Sequence, residues 1–188
     1  MSIALSAAFV GAAYFLSESI LSLHRRAAKH LATGDKGSLA VIWVTGVVSI
    51  SLAFVLAGVG APGDLPVLRH RPWLGIGVFC LGTGLRWYSI GHLGRFFTVN
   101  VAIAEDHRLV DTGPYTWLRH PSYTGWLVAI LGLGLCLGNS LSLVILLIAT
   151  LGVILWRIAI EERALRAGLG ETYAAYAMRT WRLIPYIY

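Results

Sequence analysis

The stretch PSYTGWLVAILGLGLCLGNSLSLVILLIATLGVILWRIAI, residues 121–160, decides the fold. Its one charged residue is Arg157, and its apolar character breaks only at Gly138-Asn139-Ser140. Crossing a hydrocarbon core of about 30 Å takes about 20 helical residues. The runs 122–137 and 141–160 therefore read as a tight helical hairpin within a membrane. The first run is the shorter, so its helix is expected to begin at Pro121 and dip in from the interface.

Upstream lie three further apolar runs, at about 2–23, 39–60 and 73–91. The first lacks the basic leading segment of a signal peptide and is followed by His24, Arg25, Arg26 and Lys29, which marks a retained transmembrane helix. Glu18 within it sits either near the interface or faces the bundle as a site residue. A polar loop at 24–37 and a Pro/Gly-rich loop, Ala61 to Pro66, separate these runs. The segment 92–121 is too polar to span, and 161–188 is amphipathic and basic. The expectation is an all-α, polytopic integral membrane protein with about five transmembrane helices. It forms a single membrane domain over 1–188, with three N-terminal spans in 1–91 and a second part, 92–188, built on the hairpin 122–160.

Composition agrees. The 188 residues are 57% hydrophobic and 13% charged, against about 25% charged in an ordinary soluble domain. A formal charge of +6 does not point to nucleic acid, because the basic residues collect at the ends of spanning runs and no recognition motif accompanies them. With the N-terminus outside, Arg25, Arg26, Lys29 and Lys36 face the cytoplasm, as do Arg95, Arg108, Arg119, Arg157, Arg163, Arg166, Arg179 and Arg182. Only Arg69 and Arg71 lie in the outer loop, and Arg86 falls inside the third run. This positive-inside pattern puts both long polar segments, 92–121 and 161–188, in the cytoplasm, where soluble cofactors are found. Cys80 and Cys136 each stand alone in an apolar run and suit neither a redox nor a metal role. The glycines of the third run and the Gly134/Gly138 pair suit close helix packing, which leaves the oligomeric state open.

The chemistry concentrates in those two polar segments. Pro121 suits the first position of a helix and keeps His120 out of helical geometry, so unpaired backbone N–H groups begin beside Arg119 and His120. Such an end holds an anion well. In the second segment Glu161 and Glu162 stand where a helix leaves the membrane, at its negative end, and call for cationic partners. Arg157 and Arg166 at i,i+4 spacing supply one set; a bound cation or a ribose edge would supply another. Tyr173 and Tyr176 share a helix face and suit either a sulfonium or an aromatic belt at the interface.

The pattern Leu109-Val110-x-x-Gly113-x-Tyr115-x-x-x-Arg119-His120-Pro121-x-Tyr123-x-Gly125, then Glu161-Glu162-x-x-Leu165, Gly170-x-x-Tyr173-x-x-Tyr176 and Arg182-x-x-Pro185, resembles the isoprenylcysteine carboxyl methyltransferase family of integral membrane enzymes. The resemblance covers about 91–188. It implies a cytoplasmic pocket for S-adenosyl-L-methionine between the 92–121 segment and the C-terminal tail. His107, Leu109, Val110, Gly113, Tyr115, His120, Tyr123, Glu161, Glu162, Tyr173 and Tyr176 would hold the cofactor. Arg119, with Arg179 or Arg182, would orient the substrate. The implied reaction is carboxyl O-methylation of a lipophilic, isoprenylcysteine-like acceptor drawn from the bilayer, without a metal. Arg95, Phe96 and Phe97 stand at the approach to the pocket. Other acceptors in the same chemical frame are phospholipid amines and lipophilic thiols. Two rival classes are an NADPH-dependent sterol-reductase-like enzyme, which shares the Gly-x-Tyr and Arg-His-Pro elements, and a non-enzymatic membrane scaffold or transporter.

Overall fold

The computed structural model describes residues 3–24, 37–97 and 109–188. His107 and nearly all of the polar loop at 24–37 lie outside the described residues. The elements are α1 (Ile3–His24), α2 (Ser38–Gly58), the single turn α3 (Pro66–Arg69), α4 (Pro72–Leu93), α5 (Pro121–Leu137) and α6 (Ser140–Met178). Short 3-10 turns occupy Gly94–Phe96 and Gly113–Thr116. Among the described residues the only β pairing consists of two isolated bridges, Asp64 with Asn139 and Leu118 with Trp181.

The expected hairpin forms between α5 and α6. Gly138 ends α5 in the left-handed conformation (φ 62°, ψ 27°) that glycine adopts without steric cost. Asn139 then caps α6, its side chain accepting from the Ser142 N–H at 2.9 Å. The same side chain donates to the Ala61 carbonyl at 2.9 Å, and Ser140 N–H donates to Gly63 O at 2.6 Å. The turn is thereby tied to the Pro/Gly-rich loop between α2 and α3.

One boundary differs from expectation. The helix does not end at residue 160 but continues to Met178, broken only at Gly170 (φ 53°, ψ −130°). The residues after 160 (Glu161-Glu162-Arg163-Ala164-Leu165-Arg166) are good helix formers, and charge alone does not stop a helix. Glu161 and Glu162 therefore lie in mid-helix, away from any negative helix end. At 1.5 Å per residue, the stretch from Ser140 up to the break at Gly170 reaches about 45 Å, well beyond the hydrocarbon core of about 30 Å. The apolar part up to 160 is enough to cross, and the charged part extends beyond it.

By length and apolarity, two described helices qualify as spans, Leu39–Gly58 and Ser140–Met178. Leu5–Leu21 and Pro121–Leu137 are apolar but shorter.

Glycines set the packing of α4 on α5. A Cβ on Gly82 would stand 2.2 Å from Ala129 N, one on Gly125 2.6 Å from Arg86 N, and one on Gly132 2.3 Å from Phe79 N. In lipid, where burial supplies no drive between helices, such backbone approach is a main source of association. Gly134 packs within the hairpin, its Cβ position 2.5 Å from Leu143 Cδ1, whereas Gly77 and Gly84 face open space. The approach at Gly82 and Gly125 fixes Arg86 against α5. Gly125→Ala should therefore force the two helices apart and lower the yield of folded, monodisperse protein, while Gly84→Ala should leave it unchanged. Size-exclusion profiles of the purified variants check this.

Candidate active site

Two short stretches of backbone bring the site together. The Gly113–Thr116 turn begins at a glycine with φ +58°, and a Cβ there would stand 2.7 Å from the His92 ring. It delivers Tyr115, buried, whose hydroxyl donates to Ser89 O at 3.2 Å. The C-terminal tail then pairs with the segment leading into α5. Arg119 N–H donates to Trp181 O at 2.7 Å, Trp181 N–H to Trp117 O at 3.1 Å, and His120 N–H to Arg182 O at 3.1 Å. Thr124 Oγ1 donates to Leu183 O at 2.7 Å, which locks the tail onto the first turn of α5. Tyr176, from the last part of α6, clasps both stretches by donating to Tyr115 O at 2.7 Å and Leu118 O at 3.2 Å.

Glu162 is the electrostatic centre of this assembly. Although only 5% exposed, it accepts from Arg119 Nη1 at 2.9 Å and from Arg182 Nε at 3.2 Å. Arg182 Nη2 lies at 3.2 Å, while Arg166, the i,i+4 candidate, comes only to 3.9 Å. His120 Nε2 faces the same carboxylate at 3.5 Å without hydrogen-bond alignment, and His120 Nδ1 lies 3.7 Å from Glu161 Oε2. Burial works against ionisation of Glu162, but His120, Arg182 and Arg119 outweigh it and hold the carboxyl down at about 2. Hydrogen bonding to Glu162 in turn raises the Arg182 guanidinium.

Several buried polar atoms here make no hydrogen bond: His120 Nε2, Arg119 Nε, Glu161 Oε2 and the Tyr173 hydroxyl. Burial raises the Tyr173 phenol, which stays a proton donor. Buried polar groups are normally satisfied, so a guanidinium N–H, an imidazole nitrogen, a carboxylate oxygen and a phenol in one cluster fit a polar ligand that both donates and accepts. Leu109 and Val110, half-buried, flank the turn. Arg179 stands apart. It is mostly exposed and pairs with Asp111 at the surface. Of the two arginines proposed for the tail, Arg182 joins Arg119 at Glu162 and Arg179 does not. Arg182→Ala should weaken ligand binding to the cluster at least about tenfold, and Arg179→Ala should leave it unchanged, since exposed pairs contribute little; calorimetric titration separates the two.

A second feature was not legible in the motifs. Between α1, α2, α4, α5 and α6 lies about 630 Å³ of unfilled space, part of it open to the outside. Its walls are apolar and aromatic (Phe15, Leu39, Trp43, Trp126), and its polar end holds Glu18, Arg86 and Arg157. Glu18 faces inward and takes Arg86 bidentately, Nε and Nη2 donating at 2.7 Å each. Arg86 Nη1 also donates to Ser122 O at 3.3 Å, and its guanidinium sits 5.1 Å from the Trp126 ring centre. An acidic residue in one apolar run and a basic one in another was the available signal. Tyr123 belongs to both features: it lines this chamber and stacks on His120 with ring centres 5.7 Å apart.

A bundle of long apolar helices, with a polar cluster at one end beside an apolar chamber, is the architecture of an integral membrane protein. The sequence model of the isoprenylcysteine carboxyl methyltransferase (ICMT) family matches residues 73–167, half of the chain, and the chain belongs to that family. It is 32% identical over 127 residues to protein-S-isoprenylcysteine O-methyltransferase B of Arabidopsis thaliana, covering 65% of this chain and 64% of the relative. It is 35% identical over 127 residues to protein-S-isoprenylcysteine O-methyltransferase of Tribolium castaneum, covering 65% and 45%. Its fold matches the solved structure of a eukaryotic intramembrane Ras methyltransferase, ICMT, with a TM-score of 0.63 and 32% identity, over 77% of this chain and 52% of that one. The chain thus spans between about half and two thirds of the length of these relatives.

Proposed function

We propose that this chain is an S-adenosyl-L-methionine-dependent methyltransferase that esterifies the carboxylate of an isoprenylcysteine-like lipid at the cytoplasmic membrane face. One observation carries the reading: Tyr123 is shared by the cluster of unsatisfied polar atoms and the apolar chamber. Two ligands occupying those spaces would meet across it.

S-adenosyl-L-methionine supplies an electrophilic methyl group on a sulfonium. His120, Arg119, Glu161 and Tyr173 would hold it, with Leu109, Val110, Gly113, Tyr115, Glu162 and Tyr176 shaping the pocket; His107 is proposed with them from the family pattern alone. Arg119 Nε and His120 Nε2 offer donors suited to a carboxylate, Glu161 Oε2 an acceptor suited to an ammonium or ribose hydroxyl. In the chamber, Arg86 and Arg157 would fix the acceptor carboxylate while the apolar walls take the lipid chain. A carboxylate nucleophile needs no general base. Alignment of the two reacting atoms and exclusion of water carry the rate. The tail, bound through Arg182 to Glu162, would close the pocket from the cytoplasm, the side on which the basic residues concentrate.

Calorimetric titration of the purified protein with S-adenosyl-L-methionine, with NADPH as the control, tests this reading. Saturable binding of the first and none of the second is expected. Binding of NADPH alone would move the chain to reductase chemistry.

A further inference from the structure

The apolar chamber does not end blindly. A second hollow of about 250 Å³, part of it open to the outside, adjoins it, and Tyr14, Ile42, Gly46 and Trp126 line both. The inner hollow continues toward Ser49, Thr150 and Val153. Tyr14 lies one helical turn from Glu18 along α1, and Thr150 about two turns from Arg157 along α6. The inner hollow is therefore deeper in the bundle than the charged end. Between the two spaces stand Tyr14 and Trp126, both buried and joined by a hydrogen bond from Trp126 Nε1 to Tyr14 Oη at 2.9 Å. Gly46 opposes them from α2, and a Cβ there would meet nothing within 4 Å.

We infer that the Tyr14–Trp126 pair is a chain-length ruler, forming with Gly46 a partition that sets how long an acceptor's apolar chain can be. This rests on the proposed function, in which the acceptor's carboxylate sits at Arg86 and Arg157. A head group fixed at the charged end gives the ruler its origin. The hydrogen-bonded ring pair gives it its stop, because moving either ring breaks a buried polar contact. Gly46 leaves room beside the stop, so the chain passes only as far as that side remains open. Each buried methylene contributes about fourfold in affinity, so a partition of this kind converts chain length into selectivity.

The test uses the full chain in detergent micelles with a graded series of N-acetyl-S-(n-alkyl)cysteines, read out by equilibrium binding and, separately, by methyl transfer. Tyr14→Ala should merge the two hollows and shift the preferred chain to greater length. Gly46→Leu should fill the shared space and shift it to shorter length. Each shift is expected to be at least about tenfold in the ratio of affinities for long and short chains. Cofactor affinity should be unchanged in both variants, because neither residue touches the Glu162 cluster. Should Tyr14→Ala fail to fold, Gly46→Leu carries the test by itself, since its side chain enters open space. The same length dependence in wild type and Gly46→Leu would overturn the ruler while leaving the proposed reaction intact. Shifted length dependence in binding with no methyl transfer by the wild type would support the ruler and overturn the proposed reaction.

Discussion

Glu162→Ala should weaken S-adenosyl-L-methionine binding at least about tenfold and lower methyl transfer by about a hundredfold. The reason is convergence. Arg119, Arg182 and His120 all face this one carboxylate, and Arg182 arrives on a tail whose backbone pairs with the segment carrying Arg119. Without Glu162, the Arg119 and Arg182 guanidinium groups confront one another, the tail loses its side-chain anchor, and the donors meant for the cofactor swing away. Removing one partner of a buried pair costs about 3–5 kcal/mol, because the other charge is left uncompensated. A lower thermal midpoint should accompany the lost affinity. Glu162→Gln, which keeps the shape and two acceptor or donor positions, should fall between. The pH dependence follows from the same contacts. The carboxyl is held at about 2 against an ordinary 4.5, so the stability it lends is fully present above about pH 4.5 and is lost as pH falls toward 2. Thermal midpoints across that range should decline in the wild type more steeply than in Glu162→Gln.

Arg86→Leu should be as severe, by a different route. It leaves the largely buried Glu18 without its bidentate partner, at a cost of about 3–5 kcal/mol. It also removes one of the two cations proposed to hold the acceptor. A double-mutant cycle separates these effects. Glu18→Leu/Arg86→Leu removes both charges and should recover most of the folded stability, since buried ion pairs replaced by apolar side chains are often neutral. Acceptor methylation should stay lost in the double variant while S-adenosyl-L-methionine binding is retained. Methylation restored along with stability would limit Arg86 to a structural role.

The sequence made some of this legible and hid the rest for identifiable reasons. The α5–α6 hairpin was readable because Gly138 and Asn139 carry local signals: a left-handed cap and a side chain that caps the next helix. Pro121 marked the start of α5 in the same way. The end of α6 was misplaced because a change from apolar to charged residues marks the edge of the membrane, whereas only Gly170 breaks the backbone. The residues of the Glu162 cluster were visible as types, but their partners were not. Helical spacing offered Arg166, which reaches only 3.9 Å, while Arg119 and Arg182 arrive from segments 43 and 20 residues away. The pairing of Glu18 with Arg86 spans 68 residues and depends on the Gly82–Gly125 approach, which no periodicity announces. Glycine spacing in the third run pointed to packing without showing which glycines would pack: Gly75 and Gly82 meet α5, and Gly77 and Gly84 do not.

The central claim is methyl transfer from S-adenosyl-L-methionine to a lipid carboxylate. The most direct measurement incubates the purified chain with methyl-labelled S-adenosyl-L-methionine and N-acetyl-S-farnesylcysteine, then asks whether the extracted lipid carries the label as an ester. The account predicts label that is released as methanol by mild alkali, present with wild type and absent with Glu162→Ala. Label that resists alkali would place the methyl on nitrogen or sulfur and contradict carboxyl methylation. No label at all, from protein shown to bind the cofactor and the acceptor, would contradict the reaction itself.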